Sequence, residues 1–203
     1  MKLKNLTKIY TGYSFREQIK NEPDGSIKVI QMKDVNKHKG ILFDKLIRIS
    51  NFNPRNDHYY LKPGDIIFVN KGYNLHAYSI PITIGKAIAI NSFLIIKVVS
   101  QKIISEYLTW FLNSQRVQQY FQSVSAGTNI PNVSISALEN IDVIVPPIDQ
   151  QKLIARIEKL KTKEINLMEE LKTKKELYVN MLLQKSIDNI PKTINKEEMR
   201  ENL

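Results

Sequence analysis

Residues 145–185 read VPPIDQQKLIARIEKLKTKEINLMEELKTKKELYVNMLLQK, and this stretch decides the architecture. Pro146 and Pro147 close whatever precedes them, and from Gln150 to Lys185 there is neither glycine nor proline. Asp149 suits a helix N-cap, and Ile148 and Leu153 have the spacing of a hydrophobic staple around it. Leu153, Ile157, Leu160, Glu164, Leu167, Leu171, Lys174, Tyr178 and Met181 then follow one another in steps of three and four. All but Glu164 and Lys174 are apolar, which predicts a coiled-coil seam with two polar interruptions. At 1.5 Å per residue such a helix is roughly 50–55 Å long. That exceeds the width of a domain built from the rest of the chain, so part of the seam calls for a partner helix. From Ile187 onward the sequence is polar and holds Pro191, as expected of a frayed tail.

Upstream of the prolines the periodicity is mixed. Ile27-Lys-Val-Ile-Gln-Met alternates as a half-buried strand does. Ile41 to Ile49 and Ala87 to Val99 are strand-like, the latter long enough for one strand or two. Pro63-Gly64 makes a turn before the β-favouring run Asp65-Ile-Ile-Phe-Val. From about Ile103 to Val124 the period becomes helical, with Ser114 placed to cap a break between two short helices. Ser136-x-x-Glu139 has the form of a capping box, and Ile141 to Val145 of a short strand. The expected organisation is therefore an α+β (mixed α/β) domain over 1–148, a long coiled-coil-forming helix over 149–186 and a polar tail over 187–203.

Composition narrows the function. Apolar residues make up 42% and charged residues 25%, as in a globular protein. The absence of cysteine excludes disulfides and thiolate metal sites. No signal peptide is visible at Met1 and no apolar run has the length of a membrane span, so a cytoplasmic location is expected. The net charge of +10 is uneven: residues 1–148 hold 18 Lys/Arg against 10 Asp/Glu, and the remainder 12 against 10. The positive excess thus lies on the domain, where a polyanion would be held.

No convergent reactive groups stand out. His38, His58 and His76 are dispersed among polar residues, and phosphate-binding and dinucleotide-binding glycine loops are absent. The Asn/Asp-Pro-Pro-aromatic signature of amino-methyltransferases is missing too. Pro23-Asp24 followed by Gln31-Met32-Lys33 is weakly nuclease-like, but Gln31 lacks the charge that a two-carboxylate metal site needs. Pro23-Asp24-Gly25 reads more simply as a turn. The expectation is a protein without a catalytic centre or metal site. Polar loops carry more signal. Asn70-Lys-Gly-Tyr-Asn-Leu-His76, the 50–57 segment and Lys33-Asp-Val-Asn-Lys-His-Lys39 interleave amides, cations and rings. Amides can read adenine and cations can read guanine or hold phosphate.

Several landmarks, taken in order, resemble the specificity (S) subunit of type I restriction–modification systems. They are Leu3-x-x-Leu6 with Ile9 and Gly12, Val29-Ile-Gln-Met-Lys-Asp-Val35 with Gly40, Tyr60-Leu-Lys-Pro-Gly-Asp-Ile-Ile-Phe68, Gly127-Thr-Asn-Ile-Pro131, Leu138-Glu-Asn-Ile141, Val145-Pro-Pro-Ile-Asp-Gln-Gln151 and Leu177 to Lys185. The resemblance implies a target-recognition domain entering a spacer helix. It implies double-stranded DNA as ligand and modification (methyltransferase) and restriction/translocase subunits as partners. S-adenosylmethionine, Mg²⁺ and ATP would be bound by those partners, with no cofactor in this chain. Members of the family usually carry two recognition domains and two helices, whereas this chain has one of each. Pairing two copies would restore a two-fold body that recruits adenine methylation to a bipartite target. The runner-up is a stand-alone DNA-binding or anti-restriction module. Candidate DNA-binding residues are Arg16, Lys33, Lys37, Lys39, Asn53, Arg55, Asn70, Lys71, Tyr73, Asn74, His76, Thr128 and Asn129. Candidate pairing residues are Leu153, Ile157, Leu160, Leu167, Leu171, Tyr178 and Met181.

Overall fold

The computed structural model describes residues 1–50, 52–54, 56–124 and 130–188. The chain divides into two compact units, residues 1–162 and 163–203. In the first, the strands are β1 (Thr7–Thr11), β2 (Ile27–Ile30), β3 (Val35–Asn36), β4 (Gly40–Ile41), β5 (Ile47–Ile49), β6 (Ile66–Val69), β7 (Ala77–Ser79), β8 (Ala87–Ala89) and β9 (Phe93–Val98). Helices α1 (Ser105–Leu112), α2 (Gln115–Val124) and α3 (Ile135–Glu139) follow, and α4 (Ile148–Asp188) runs into the second unit.

The central sheet has the order β1-β9-β6-β7 and is antiparallel throughout. Its two middle strands are apolar at almost every position because both faces are covered. Ile66 and Phe68 of β6, with Leu94 and Ile96 of β9, face a core shared with α1, α2 and the N-terminal Leu3 and Leu6. Ile67 and Val69, with Phe93 and Ile95, face a second core closed by Ile30, Ile41, Leu46 and Ala87. Successive strand residues point to opposite faces, so one run of sequence builds two cores. The second sheet has the order β5-β2-β8, with β2 and β8 parallel. Where the sheets meet, a Cβ on Gly12 would collide with the carbonyl of Ile90 and lie 2.7 Å from that of Ala89. Only glycine allows that approach.

Several sequence expectations are corrected. Ile41–Ile49 is not one strand: a 3-10 turn at Phe43–Lys45 separates β4 from β5. Leu42 N–H donates instead to the Asp34 carbonyl, which folds the chain back on itself. Ala87–Val99, expected as one strand or two, is two. Ile141–Val145 makes only an isolated bridge, Asp142 to Lys2. The cap of α3 is Ser134, whose hydroxyl accepts from Ala137 N–H, rather than Ser136. Ser114 does mark the break between α1 and α2, but its hydroxyl donates back to the Phe111 carbonyl. Helix α4 starts at Ile148, so Asp149 lies in its first turn, where a carboxylate suits the macrodipole. Leu153 is exposed and makes no staple; Ile154 faces the core instead.

The start of α4 is fixed by Gln151, which is fully buried. Its Oε1 accepts from Ile104 N–H at 3.0 Å, and its Nε2 donates to the carbonyls of Lys102 and Pro146, each at 2.8 Å. One amide thus satisfies three backbone groups from two segments. A second buried polar tie is the 2.7 Å ion pair of Lys97 with Asp65, strengthened by donation from Lys97 to the Tyr60 carbonyl.

Candidate nucleic-acid interface

Two of the three polar loops named by the sequence, 33–39 and 70–76, come together with the segment before α3 beside one end of the central sheet, while 50–57 lies elsewhere. The first is the β3–β4 hairpin. Asn36 Oδ1 accepts from the amides of His38 and Lys39 at 2.9 and 3.0 Å, an Asx-type turn, and Gly40 takes a φ of 73°. The tip therefore presents Lys37, His38 and Lys39 to solvent, with Lys33 exposed at its base. Asp34 beneath it is buried, which raises its carboxyl above the usual range, although the Gln31 amide that it accepts from opposes the shift.

The second segment joins β6 to β7. Val69 N–H donates to the His76 carbonyl, so the loop between them is a closed excursion. Lys71 and Tyr73 are exposed, Tyr73 at 87%. Asn74 and His76 are half-buried on one face: Asn74 Nδ2 donates to the Tyr78 hydroxyl at 3.4 Å, and the rings of His76 and Tyr78 lie 5.2 Å apart. Burial, with Lys37 and His38 nearby, pushes the His76 imidazole down to about 4. It is therefore neutral at pH 7, with one ring nitrogen to donate and one to accept. Those same charges show that the hairpin tip and this loop are neighbours.

The third segment is the entry to α3. Lys71 bridges to Asn132, Gly72 N–H donates to the Pro131 carbonyl, and Val133 N–H donates to the Asn70 carbonyl. Gly72 holds a φ of 95°, which favours glycine at that turn.

The candidate residues divide accordingly. Lys33, Lys37, Lys39, Lys71, Tyr73, Asn74 and His76 belong to the converging loops. Asn70 is corrected: only 7% exposed, it has its side chain withdrawn from the surface, with Oδ1 buried and unpartnered. It lies under the loop. Arg16 and Asn53 are exposed but belong to a different group, where Phe15 and Phe52 pack at 6.2 Å and both meet Tyr13 edge-on. Arg55, Thr128 and Asn129 lie outside the described residues. Sequence reasoning missed this aromatic group, which also takes in Tyr59 and Tyr60, and a stacked Tyr10–His58 pair at 4.4 Å. It missed Asn113 and Gln118 as well; the only signal was the Asn-Ser break at 113–114.

Along α4, all seven pairing candidates are between 52 and 62% exposed. Met168, Leu177, Val179, Leu182, Leu183 and Ile187 add to the apolar surface. Among the described residues there is no cluster of three or more His, Asp or Glu that could hold a metal ion. No helix among them is long and apolar enough to cross a membrane.

Residues 1–177 match the family described as the type I restriction modification DNA specificity domain. No curated protein matches the chain. Among solved structures it is similar to a chain from a study of complex assembly and conformational transition of the type I R-M system. The TM-score is 0.66 at 17% identity, over 92% of this chain and 47% of that one. It is similar to the HsdS subunit from Thermoanaerobacter tengcongensis, with a TM-score of 0.59 at 14% identity over 93% of this chain and 43% of that one. The S subunit from M. genitalium gives 0.53 at 15%, over 79% and 37%. The chain spans less than half the length of each, and likeness at these identities is a likeness of fold.

Proposed function

The chain belongs to the family of type I restriction–modification DNA specificity domains, and from that membership we propose that it is a half-length sequence-reading subunit. Its first unit reads double-stranded DNA through the converging loops. Its helix pairs with a second copy and so places two readers on a bipartite target. Adenine methylation is done by modification subunits that carry S-adenosylmethionine. Cleavage belongs to an ATP- and Mg²⁺-dependent restriction subunit, and this chain contributes no catalytic group.

The observation that carries this reading is the convergence of Lys37–Lys39, Lys71–His76 and Pro131–Val133 on the more basic part of the chain. Exposed lysines neutralise phosphate without regard to sequence, while Asn74 and the neutral His76 can exchange hydrogen bonds with base edges. The unfilled apolar seam of α4 supports pairing. The experiment is a competition between specific and random duplexes. Lys71→Ala is expected to weaken both alike and to flatten the salt dependence. Asn74→Ala is expected to cost roughly 1–3 kcal/mol at about one base pair and little on random DNA. Unchanged affinity and preference in both variants would remove this loop from the interface.

A further inference from the structure

We propose that Asn113 and Gln118, at the junction of α1 and α2, are positioning residues for sequence discrimination, acting through the backbone of the Lys71–His76 loop; this rests on the DNA-reading function above. Strand β7 is the last in its sheet, with β6 on its inner side. Residues of even number, His76 and Tyr78, pair inward. Leu75 and Ala77 therefore turn their backbone groups to the open edge. Ala77 N–H donates to Asn113 Oδ1 at 2.8 Å, and Asn113 Nδ2 donates to the Ala77 carbonyl at 2.9 Å. In an antiparallel ladder a residue exchanges both bonds with the residue opposite it. One side-chain amide here stands in for a missing strand. Gln118 continues the pattern, with Nε2 donating to the Leu75 carbonyl at 2.9 Å and to the Leu112 carbonyl at 3.0 Å.

Both outward groups of Ala77 and the outward carbonyl of Leu75 are thus held by two amides from one helical corner. His76 lies between those residues, and Asn74 directly precedes them. At its other end the loop is held by Pro131 and Val133. One end is fixed by side-chain amides and the other by backbone bonds, and such pre-organisation favours base reading by a loop. Base-edge hydrogen bonds tolerate displacements of about 0.5 Å, whereas attraction of lysine to phosphate survives larger ones. Loss of either amide therefore changes discrimination more than it changes general affinity.

The test uses the full chain and the near-isosteric, uncharged variants Asn113→Leu and Gln118→Met. The wild type first selects a consensus from a random-sequence duplex pool. Affinity for consensus and for unselected pool is then measured at two salt concentrations, alongside amide exchange at Ala77. The proposal expects consensus-over-pool discrimination to fall by about tenfold, the loss of one well-placed base contact. Pool affinity and salt slope should hold, and Ala77 exchange should quicken in Asn113→Leu. Equal loss on both DNAs would mark the residues as merely structural, because a lowered folded fraction scales every affinity alike, and would overturn the proposal. So would discrimination within threefold of wild type in a folded variant. Gln118→Met alone, which leaves both Asn113 bonds in place, keeps the test decisive if Asn113→Leu does not fold. A wild-type chain that selects no consensus would overturn the DNA-reading function and this proposal together.

Discussion

Leu94 and Leu160 are the same residue in opposite circumstances. Leu94, in β9, is 2% exposed inside a core that its own unit completes, while Leu160, on α4, is 57% exposed. The contrast extends to their neighbours: the residues around Leu94 form closed cores, while the seam of α4 is exposed along its length. Burial of one leucine side chain favours the folded state by roughly 1.5–3 kcal/mol. The sheet cores therefore gain that energy from their own contacts, whereas the seam of α4 gains it only against a second helix. Folding and assembly draw on separate residues, and substitutions should separate them.

The largest effect is expected on assembly. Leu160→Asp with Leu167→Asp sets charges into the seam, each costing several kcal/mol where unpaired. Light scattering should show a wild-type dimer at micromolar concentration and a monomer for the double variant, with the thermal melt of the sheet unit retained. A monomeric wild type at high micromolar concentration would break the comparison at its base.

Next is the residue that fixes the start of α4. Gln151→Ala removes the partners of Ile104 N–H and of the Lys102 and Pro146 carbonyls. Buried groups left unsatisfied cost about 1–3 kcal/mol each, so denaturant unfolding should show a loss of about 3 kcal/mol after partial relaxation. The dimer constant should move much less. A loss under about 1 kcal/mol would mean that water replaces the amide freely.

The smallest effect concerns pH. His76 is held to about 4, below the 6.5 of a free imidazole. The unfolded chain therefore binds a proton that the folded one refuses, and stability falls as pH drops from about 6.5 to about 4. The full loss is reached only below pH 4; between pH 7 and 5.5 it is about 1 kcal/mol, at 1.36 kcal/mol per unit. His76→Gln should remove this slope from the acid limb of the stability curve. An unchanged slope would place the imidazole in solvent.

The helix and the individual strand β6 were legible because periodicity and β-favouring runs are local properties, whereas the division of the sheet into two cores was not. The step of three and four in α4 and the unbroken Ile66–Val69 run each declare their surroundings. Gln151 was quoted in a motif but not understood, since its partners lie 47 and 49 residues away along the chain. Asn70 shows the opposite failure. It stands in a polar, loop-like string, yet strand alternation carries its side chain inward, and composition gives no sign of that. Asn113 and Gln118 stayed invisible because a side chain that imitates a strand leaves no period in the sequence. The lysines at 37, 39 and 71 were readable as a basic surface, but their convergence depends on where the β3–β4 hairpin and the β6–β7 loop lie, which only the fold supplies.

The central claim is that two copies of this chain form one bipartite reader whose gap is set by α4. The direct measurement is methylome mapping in cells that carry the modification subunits with either the wild-type chain or one lacking the heptad Lys163–Glu169. That deletion keeps the seam in register and shortens the helix by roughly 10 Å, about three base pairs of DNA rise. The account predicts an inverted-repeat target with an unread spacer in the wild type. For the deletion it predicts the same half-sites with a shorter spacer, or no methylation. An asymmetric wild-type target, or an unchanged spacer after the deletion, would contradict it.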